Sequence, residues 1–340
     1  MSQIRFVAKS THEEGCSCGD FWHEDTREAI NKDPTFPKIP RTRGKPQSPE
    51  YQALQRIAQR LRPIIRASLV RGINAFKKNI DLNDLAAAIS KADVAEALNV
   101  VPWDDFRGAI KGIDKVVLDG VSESAEKSKF LFRKSIQRLI PTLKPDVTFD
   151  AENPAIKNWM ENHIGELVTN IKDSTQKGIQ QIVMRSINEG LPPRESAKMI
   201  RQIVGLNDRQ VTAVINRREK LMASGMRGRR LEDAVERYTQ KQLKYRSELI
   251  ARTESMTANN RGLMEVVNQN ADAGLFDRSK AKKKWIVTPY DRVCKICKPM
   301  QGKTVPVDGE FTLRNGESVP HPPAHPNCNC SWSIELEGAI

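Results

Sequence analysis

The chain has 340 residues, of which 39% are hydrophobic and 29% charged, so it can bury one large core or two smaller ones. Lysine and arginine number 55 against 42 acidic residues, which gives a formal net charge of +13. No segment approaches the roughly 20 apolar residues of a membrane-spanning helix, and the N-terminal residues lack the apolar core of a secretory signal. We therefore expect a globular protein that is neither exported nor inserted into a membrane.

The positive charge is concentrated in two stretches of the chain. Residues 41–78 contain ten basic residues and one acidic residue, and residues 194–230 contain ten basic and three acidic residues. Residues 285–340 contain five basic and six acidic residues, so the C-terminal end has no cationic excess. Because DNA is bound through many cations near its phosphates, we expect any contact with DNA to involve the basic helical segments.

Residues 1–49 predict an extended arm, because they show no sustained hydrophobic periodicity and several prolines interrupt their C-terminal part. Residues 50–153 predict a helical subdomain. Its first helix begins near Glu50 and is expected to kink or break at Pro63, since proline lacks the N–H that a helix interior uses. The further expected elements are helices over residues 82–98 (with Asp81 as N-cap), 102–117 and 130–140, and a loop over 141–153 with a short extended segment at 147–149.

Residues 154–282 predict a domain of long helices. After Pro154, apolar residues at helical spacing predict a long amphipathic helix that ends near Gly190. The next helices are expected to open at Pro192–Pro193 and close at Gly205, to be capped by Asn207 or Asp208, and to run from about Leu231 to Asn270. Short connections between such helices predict an antiparallel helical array.

Residues 283–340 predict a small β-rich module. Segments 286–288, 304–307 and 331–336 alternate or favour branched residues, and Gly302, Gly309 and Gly316 mark turns between them. The fold class is therefore mainly α: an antiparallel helical array followed by a small β-rich C-terminal module, with an extended N-terminal arm.

Five residues of this module have the spacing of metal ligands. Cys294 and Cys297 form a CxxC pair, and His325, Cys328 and Cys330 form an HxxCxC group about thirty residues later. In a reducing compartment, two such pairs are typical of one closed, tetrahedral, structural zinc site per chain. Two turns of equal spacing favour Cys294, Cys297, His325 and Cys328, with Cys330 as the alternative to Cys328. The cluster therefore predicts a small zinc-stabilised β-rich C-terminal module, and ordinary buried thiols are the less favoured alternative.

The sequence contains no assembled reaction centre. It lacks an HExxH motif, a phosphate-binding glycine loop, a dinucleotide fingerprint and a nucleophile elbow. His321 and Asp291 lie near the cysteines and could be recruited to a catalytic site, but a solvated loop histidine and a turn-forming aspartate are the favoured interpretations. A second metal group in the arm is a weak hypothesis, since its CxC spacing is unusual for one zinc. Its candidates are His12, Cys16, Cys18 and His23.

The order of these features resembles the Mu F-like family of phage head morphogenesis proteins, also called minor capsid proteins, over about residues 155–335. The resemblance rests on Trp285, Asp291–Arg292–Val293–Cys294, Cys297, Met300, Gly302, the run from His325 to Cys330, Arg252–Thr253–Glu254 and Asn259. Arg252 and Glu254 cannot share a helix face, so we expect them to make different contacts. They either anchor the zinc module to the helices or form a solvated face. This chain departs from the family by having Asn329 where a basic residue often stands, which weakens a DNA contact at that position.

The resemblance implies a structural protein rather than an enzyme. Such a protein enters the procapsid near the portal in few copies and lies inside the head of the virion, after assembly in the host cytoplasm. Its implied partners are the portal protein, the major capsid protein and packaged double-stranded DNA, whose ejection it influences. Two other functions stay open: a zinc-containing nuclease of the HNH type that uses His321 and His325, and a basic DNA-binding protein.

Overall fold

The computed structural model describes residues 49–287 and 294–340, with side chains from Tyr51 onward. In this part of the chain long helices dominate, and a small antiparallel sheet follows them. The helices are α1 (Pro49–Lys78), α2 (Leu82–Ser90), α3 (Val94–Asn99), α4 (Asp104–Ile110), α5 (Gly112–Leu139), α6 (Pro154–Glu189), α7 (Pro193–Ile203), α8 (Asp208–Ala223) and α9 (Gly228–Asp272). The strands are β1 (Lys282–Ile286), β2 (Thr304–Pro306), β3 (Phe311–Thr312), β4 (Ser318–Val319) and β5 (Ser331–Glu335).

The mainly α fold class with a β-rich C-terminal module is confirmed. The predicted arm lies outside the described residues, except for its last residue, Pro49, which begins α1. Among the described residues, no helix is both long enough and apolar enough to cross a membrane.

Several helix ends follow the capping rules that the sequence indicates. Asp81 caps α2, because its side chain accepts hydrogen bonds from the backbone N–H groups of Asn83 and Asp84 at 2.6 and 3.1 Å. Asn207 caps α8 and forms a reciprocal capping box with Gln210. The long helix after Pro154 and the short helix before Gly205 also lie where they were predicted.

Other elements differ from the predictions. The expected break at Pro63 is absent, and α1 continues through this residue. Pro63 and Gln59 are both exposed, so water can bind the carbonyl group that loses its helical partner. The helix predicted over residues 82–98 is two helices, because Ala92 adopts a left-handed conformation with φ 58° between α2 and α3.

The helices predicted over residues 102–117 and 130–140 also differ from those in the structure. The first is divided between α4 and α5, and α5 continues to Leu139 without a break. Residues 147–149 form no strand; instead, the side chain of Asn270 accepts from the N–H of Thr148 at 2.9 Å and donates to its C=O at 2.8 Å. This side-chain amide satisfies the same backbone groups that a neighbouring strand would pair with.

The described residues divide into two compact units. The first unit contains residues up to Leu61, Leu118–Asn153 and Arg252–Ile340, and the second contains Arg62–Val117 and Pro154–Ala251. Each unit therefore contains parts of α1, α5 and α9. The predicted domain boundaries at residues 49, 153 and 282 remain predictions.

In the first unit, a three-stranded antiparallel sheet of order β2–β1–β5 packs on helices. Trp285 of β1 lies opposite Trp332 of β5, and Lys283 pairs with Val305 on one side and Ile334 on the other. Strands β3 and β4 form a separate hairpin. The core beneath the sheet combines side chains of α5, α9 and the module, including Phe132, Ile136, Leu263, Val266, Val267, Phe276, Val307, Trp332 and Leu336.

The second unit is helical, and polar contacts link α8 to α7 and to α9. Arg218 of α8 is buried and donates to Glu195 at 3.0 Å and to Glu232 at 2.6 Å. Gly205, which closes α7 with φ 82°, lies where an added Cβ would be only 2.9 Å from Ile73. This position therefore requires glycine for both its conformation and its packing.

Candidate metal centre

The first pair of candidate ligands lies on a tight turn that leads into a short 3-10 helix. The backbone N–H of Cys297 donates to the Sγ atom of Cys294 at 3.2 Å, and the N–H of Lys298 donates to the C=O of Cys294 at 2.9 Å. The helix Lys298–Met300 begins directly after Cys297. These bonds direct both thiols toward one point, as the CxxC spacing predicts.

The second group lies on a turn formed by residues 325–328. The N–H of Cys328 donates to the C=O of His325 at 3.1 Å, and Asn327 has a left-handed backbone with φ 65°. Pro326 at the second position, positive φ at the third and this closing bond are the features of a type II β-turn. The turn brings His325 and Cys328, its first and last residues, close to each other.

All five predicted ligands meet in one place, which we call the candidate metal cluster: Cys294, Cys297, His325, Cys328 and Cys330. The cluster can hold a metal ion, because its ligand atoms form two groups of three that share Cys297, and within each group the atoms lie within 4.8 Å of one another. Nε2 of His325 is 3.0 Å from Sγ of Cys294 and 3.2 Å from Sγ of Cys297. The sulfur atoms of Cys297 and Cys328 are 3.8 Å apart.

These distances and the ring orientation can be compared with a tetrahedral zinc site. Zinc–sulfur bonds of about 2.3 Å place two sulfur ligands about 3.8 Å apart, which matches Cys297 and Cys328. Nδ1 of His325 is 2.9 Å from the C=O of Pro326. Because a carbonyl only accepts, Nδ1 carries the hydrogen and Nε2 is the nitrogen available to a metal. The residues therefore fit a closed structural site of thiolates and one imidazole.

The electrostatics of the cluster favour thiolates next to the histidine. Hydrogen bonding from Cys297 and from His325, opposed by burial, lowers the pKa of Cys294 to about 4. Hydrogen bonds from Cys297 and Cys330, also opposed by burial, lower the pKa of Cys328. Hydrogen bonds with Cys294, Cys328 and Cys330 raise the pKa of Cys297. Burial lowers the pKa of His325, but its bonds to Cys294 and Cys328 outweigh burial and raise it to about 11. A divalent cation would replace these shared protons, so metal affinity should fall at low pH.

The thiols also form part of a small hydrophobic core. Cys297, Cys328 and Cys330 are buried, and Cys294 is half-buried. They pack with Trp285, Met300, Phe311 and Leu313. This core is small, so a bound metal would contribute a large part of the stability of the module.

Helix α9 contacts the turn of residues 325–328 through Arg252, which was expected to anchor the module, and through the adjacent Thr253. Arg252 donates from its guanidinium to Oδ1 of Asn327 at 2.7 Å, and Oγ1 of Thr253 accepts from the N–H of Asn327 at 2.8 Å. The anchoring hypothesis is thus met by a direct contact of Arg252 with the turn. Glu254 is buried, so it does not belong to a solvated face.

Two neighbouring asparagines of α9 make different contacts, which the sequence did not reveal. The side chain of Asn259 donates to the C=O of Leu54 in α1 at 2.6 Å and accepts from Ser124 in α5 at 2.5 Å. Asn260 donates to the C=O of Cys330 at 3.3 Å and accepts from Ser331 at 2.9 Å. The resemblance included Asn259 but did not indicate its contacts, and it did not include Asn260.

Position 329, where this chain departs from the family pattern, faces α1. The side chain of Asn329 donates to Oε1 of Gln55 at 3.2 Å, and its C=O accepts from the hydroxyl of Tyr51 at 3.0 Å. This residue therefore serves packing within the first unit.

The remaining candidates lie apart from the cluster or outside the described residues. His321 belongs to neither ligand group; its Nδ1 is 2.6 Å from the C=O of Pro322, and its ring stacks on Trp332. Burial lowers the pKa of His321 to about 4. Asp291 lies outside the described residues, as do the candidates in the arm: His12, Cys16, Cys18 and His23.

A comparison with known protein families matches residues 177–333 to the family of Phage Mu protein F like proteins. This region includes both halves of the candidate metal cluster, the strands around it and the whole of α9. Residues 177–333 belong to the Mu F-like family. Searches of curated proteins and of solved structures gave no match. The Mu F-like region thus covers the C-terminal part of α6, all of α7, α8 and α9, and the module up to β5.

Proposed function

We propose that this chain is a structural minor capsid protein of a tailed phage, incorporated into the procapsid near the portal and located inside the head of the virion. The observation that carries the proposal is the Mu F-like region, whose spaced cysteines and histidine converge on one cluster in the fold. Its partners would be the portal protein and the major capsid protein. Assembly would take place in the host cytoplasm.

Co-expression with the portal and major capsid proteins of the same phage tests this proposal. We expect the chain to sediment with assembled particles and to be lost from particles that lack the portal. A chain that remains at the top of the gradient when complete particles form would contradict the proposal. So would plasmid degradation with added magnesium that is abolished in His321→Ala, because that result identifies a nuclease.

The metal in the proposed protein would be one structural zinc ion per chain. Thiolate and imidazole ligands suit zinc, and four protein ligands would leave no open coordination position for catalysis. When bound, zinc would cross-link the two turns that carry the ligands. Metal analysis of the purified chain should give about one zinc per chain, and Cys294→Ser should lower this content. Purified wild-type chain without zinc would refute the metal assignment.

Contact with packaged DNA would involve the exposed side of α8 and α9, which we call the basic face: Arg217, Lys220, Arg230, Arg237, Lys241 and Lys244. All six side chains are exposed, and none forms an ion pair with another described residue. Three of the nearby acids are paired with other arginines: Glu219 with Arg185, Glu248 with Arg66 and Asp233 with Arg229.

The spacing of the basic face fits a polyanion. Arg230, Arg237 and Lys244 lie seven residues apart, so they share one side of α9 over about 21 Å. Arg237 and Lys241 are four residues apart, where like charges repel each other and destabilise an isolated helix. A row of phosphates would relieve this repulsion and release counterions.

Binding of the full chain to duplex DNA at several salt concentrations tests this contact. We expect affinity to fall steeply with salt, and K241E/K244E to reduce the salt slope by about 2. K282E/K303E, which reverses two exposed charges of the module, is the matched control and should leave the slope unchanged. Absence of binding at low salt would refute the DNA contact without affecting the proposed place in the capsid.

A further inference from the structure

We propose that Arg252 and Thr253 are positioning residues that preset half of the metal site by holding Asn327 in its left-handed conformation. This inference rests on the proposed metal site, and it assigns a role to residues that do not themselves bind the metal. It concerns the turn formed by residues 325–328, which carries two of the candidate ligands.

The turn depends on one unfavourable residue conformation. Asn327 has φ 65°, a region that residues other than glycine rarely adopt, although asparagine tolerates it better than most. Within the turn, the closing bond uses the C=O of His325 and the N–H of Cys328. The N–H and the side chain of Asn327 are therefore left for partners outside the turn.

Two consecutive residues of α9 supply these partners. Thr253 accepts from the backbone N–H of Asn327 at 2.8 Å, and Arg252 donates to its side-chain oxygen at 2.7 Å. The first bond fixes the peptide plane before Asn327, and the second is charge-assisted and fixes the side chain. Together they orient one residue at both its backbone and its side chain.

The orientation of Asn327 affects the position of the candidate ligands, because Asn327 lies directly before Cys328 and two residues after His325. A turn held in place presents Nε2 and Sγ at the required separation before metal binds, so less conformational freedom is lost on binding. Residues that orient metal ligands in this indirect way typically change metal affinity by about 10- to 100-fold when replaced. Helix α9 would thus raise metal affinity by holding the turn of residues 325–328 in its binding conformation.

Metal affinity of the full chain, measured by competition with a chromogenic chelator, tests the inference. Thr253→Val removes the acceptor with little change in shape, whereas Thr253→Ser retains the hydroxyl. We expect Thr253→Val and Arg252→Ala each to weaken zinc binding by about 10-fold or more, and Thr253→Ser to restore most of the affinity. Arg229→Ala, on an exposed side of the same helix, is the control and should bind zinc like the wild type.

A double replacement separates positioning from a general loss of stability. Asn327→Gly tolerates positive φ but has no side-chain acceptor, so adding Arg252→Ala to it should weaken binding no further. The absorption spectrum of bound cobalt should broaden in Thr253→Val, a change that lower stability alone does not produce. Wild-type affinity in Thr253→Val and Arg252→Ala would overturn the inference. Failure of the wild type to bind zinc would instead overturn the proposed metal site.

Discussion

Cys328 and Cys330 compete for the fourth position of the metal site, and replacing each by serine distinguishes them. Both thiols are buried in the candidate metal cluster. The 3.8 Å separation of the sulfur atoms of Cys328 and Cys297 equals the edge of a zinc–thiolate tetrahedron, about 3.8 Å. Cys328 also lies on the turn that carries His325. We therefore expect Cys328 to bind the metal and Cys330 to serve packing.

The expected size of the effect follows from the energy of a structural zinc site. Apparent binding free energies of about 10–16 kcal/mol, shared among four ligands, give about 3 kcal/mol for each ligand. Cys328→Ser should therefore weaken zinc binding by about 100-fold, and Cys330→Ser by less than about 10-fold. Chelator competition measures both, and the charge-transfer absorption of bound cobalt counts the thiolates. A larger loss of affinity in Cys330→Ser than in Cys328→Ser would refute the assignment.

Three further predictions concern stability in denaturant or on heating. Gly262→Ala should destabilise the chain by about 2 kcal/mol, because the added Cβ would lie 2.5 Å from a backbone oxygen of α5. Gly165→Ala, whose added Cβ has no neighbouring atom within 4 Å, should stabilise the chain by about 0.5–1 kcal/mol. Equal effects of the two replacements would contradict this packing. Asn270→Ala should cost about 1–3 kcal/mol, since it leaves the backbone of Thr148 without its partners, and an unchanged midpoint would count against those bonds. Burial lowers the pKa of His321 to about 4 from 6.5, so the unfolded chain binds more protons between these values and the unfolding free energy should fall as pH drops from about 6.5 to 4. His321→Gln should reduce this slope, and identical slopes in both proteins would disprove the effect.

Strong local patterns were sufficient to predict the long helices α6 and α9 and the two groups of candidate ligands. The apolar stripe after Pro154 and the caps Asp81 and Asn207 depend on neighbours within one or two turns, so they can be identified from the sequence. The two ligand groups were predicted because a metal needs paired donors at short spacing. The two groups do converge in space, as binding to one metal ion would require.

Features that depend on distant partners were not predicted. The missing strand at residues 147–149 results from the side chain of Asn270, 122 residues away from Thr148. The uninterrupted helix at Pro63 depends on which side of α1 is exposed, which the sequence pattern alone did not establish. Likewise, the contact of Tyr51 with Asn329 joins residues 278 positions apart. Such contacts are set by the tertiary structure, and no local rule identifies them.

The discontinuous make-up of the first unit has a consequence for biosynthesis. Its core needs side chains of α5, α9 and the module, and Gln55 near the start of α1 binds Asn329, 274 positions later. During translation, α1 and α5 leave the ribosome long before β5 exists, so their apolar sides stay exposed until residues 325–336 have been made. The unit should therefore fold after synthesis, and a nascent chain stalled before Cys328 should require chaperones to remain dispersed.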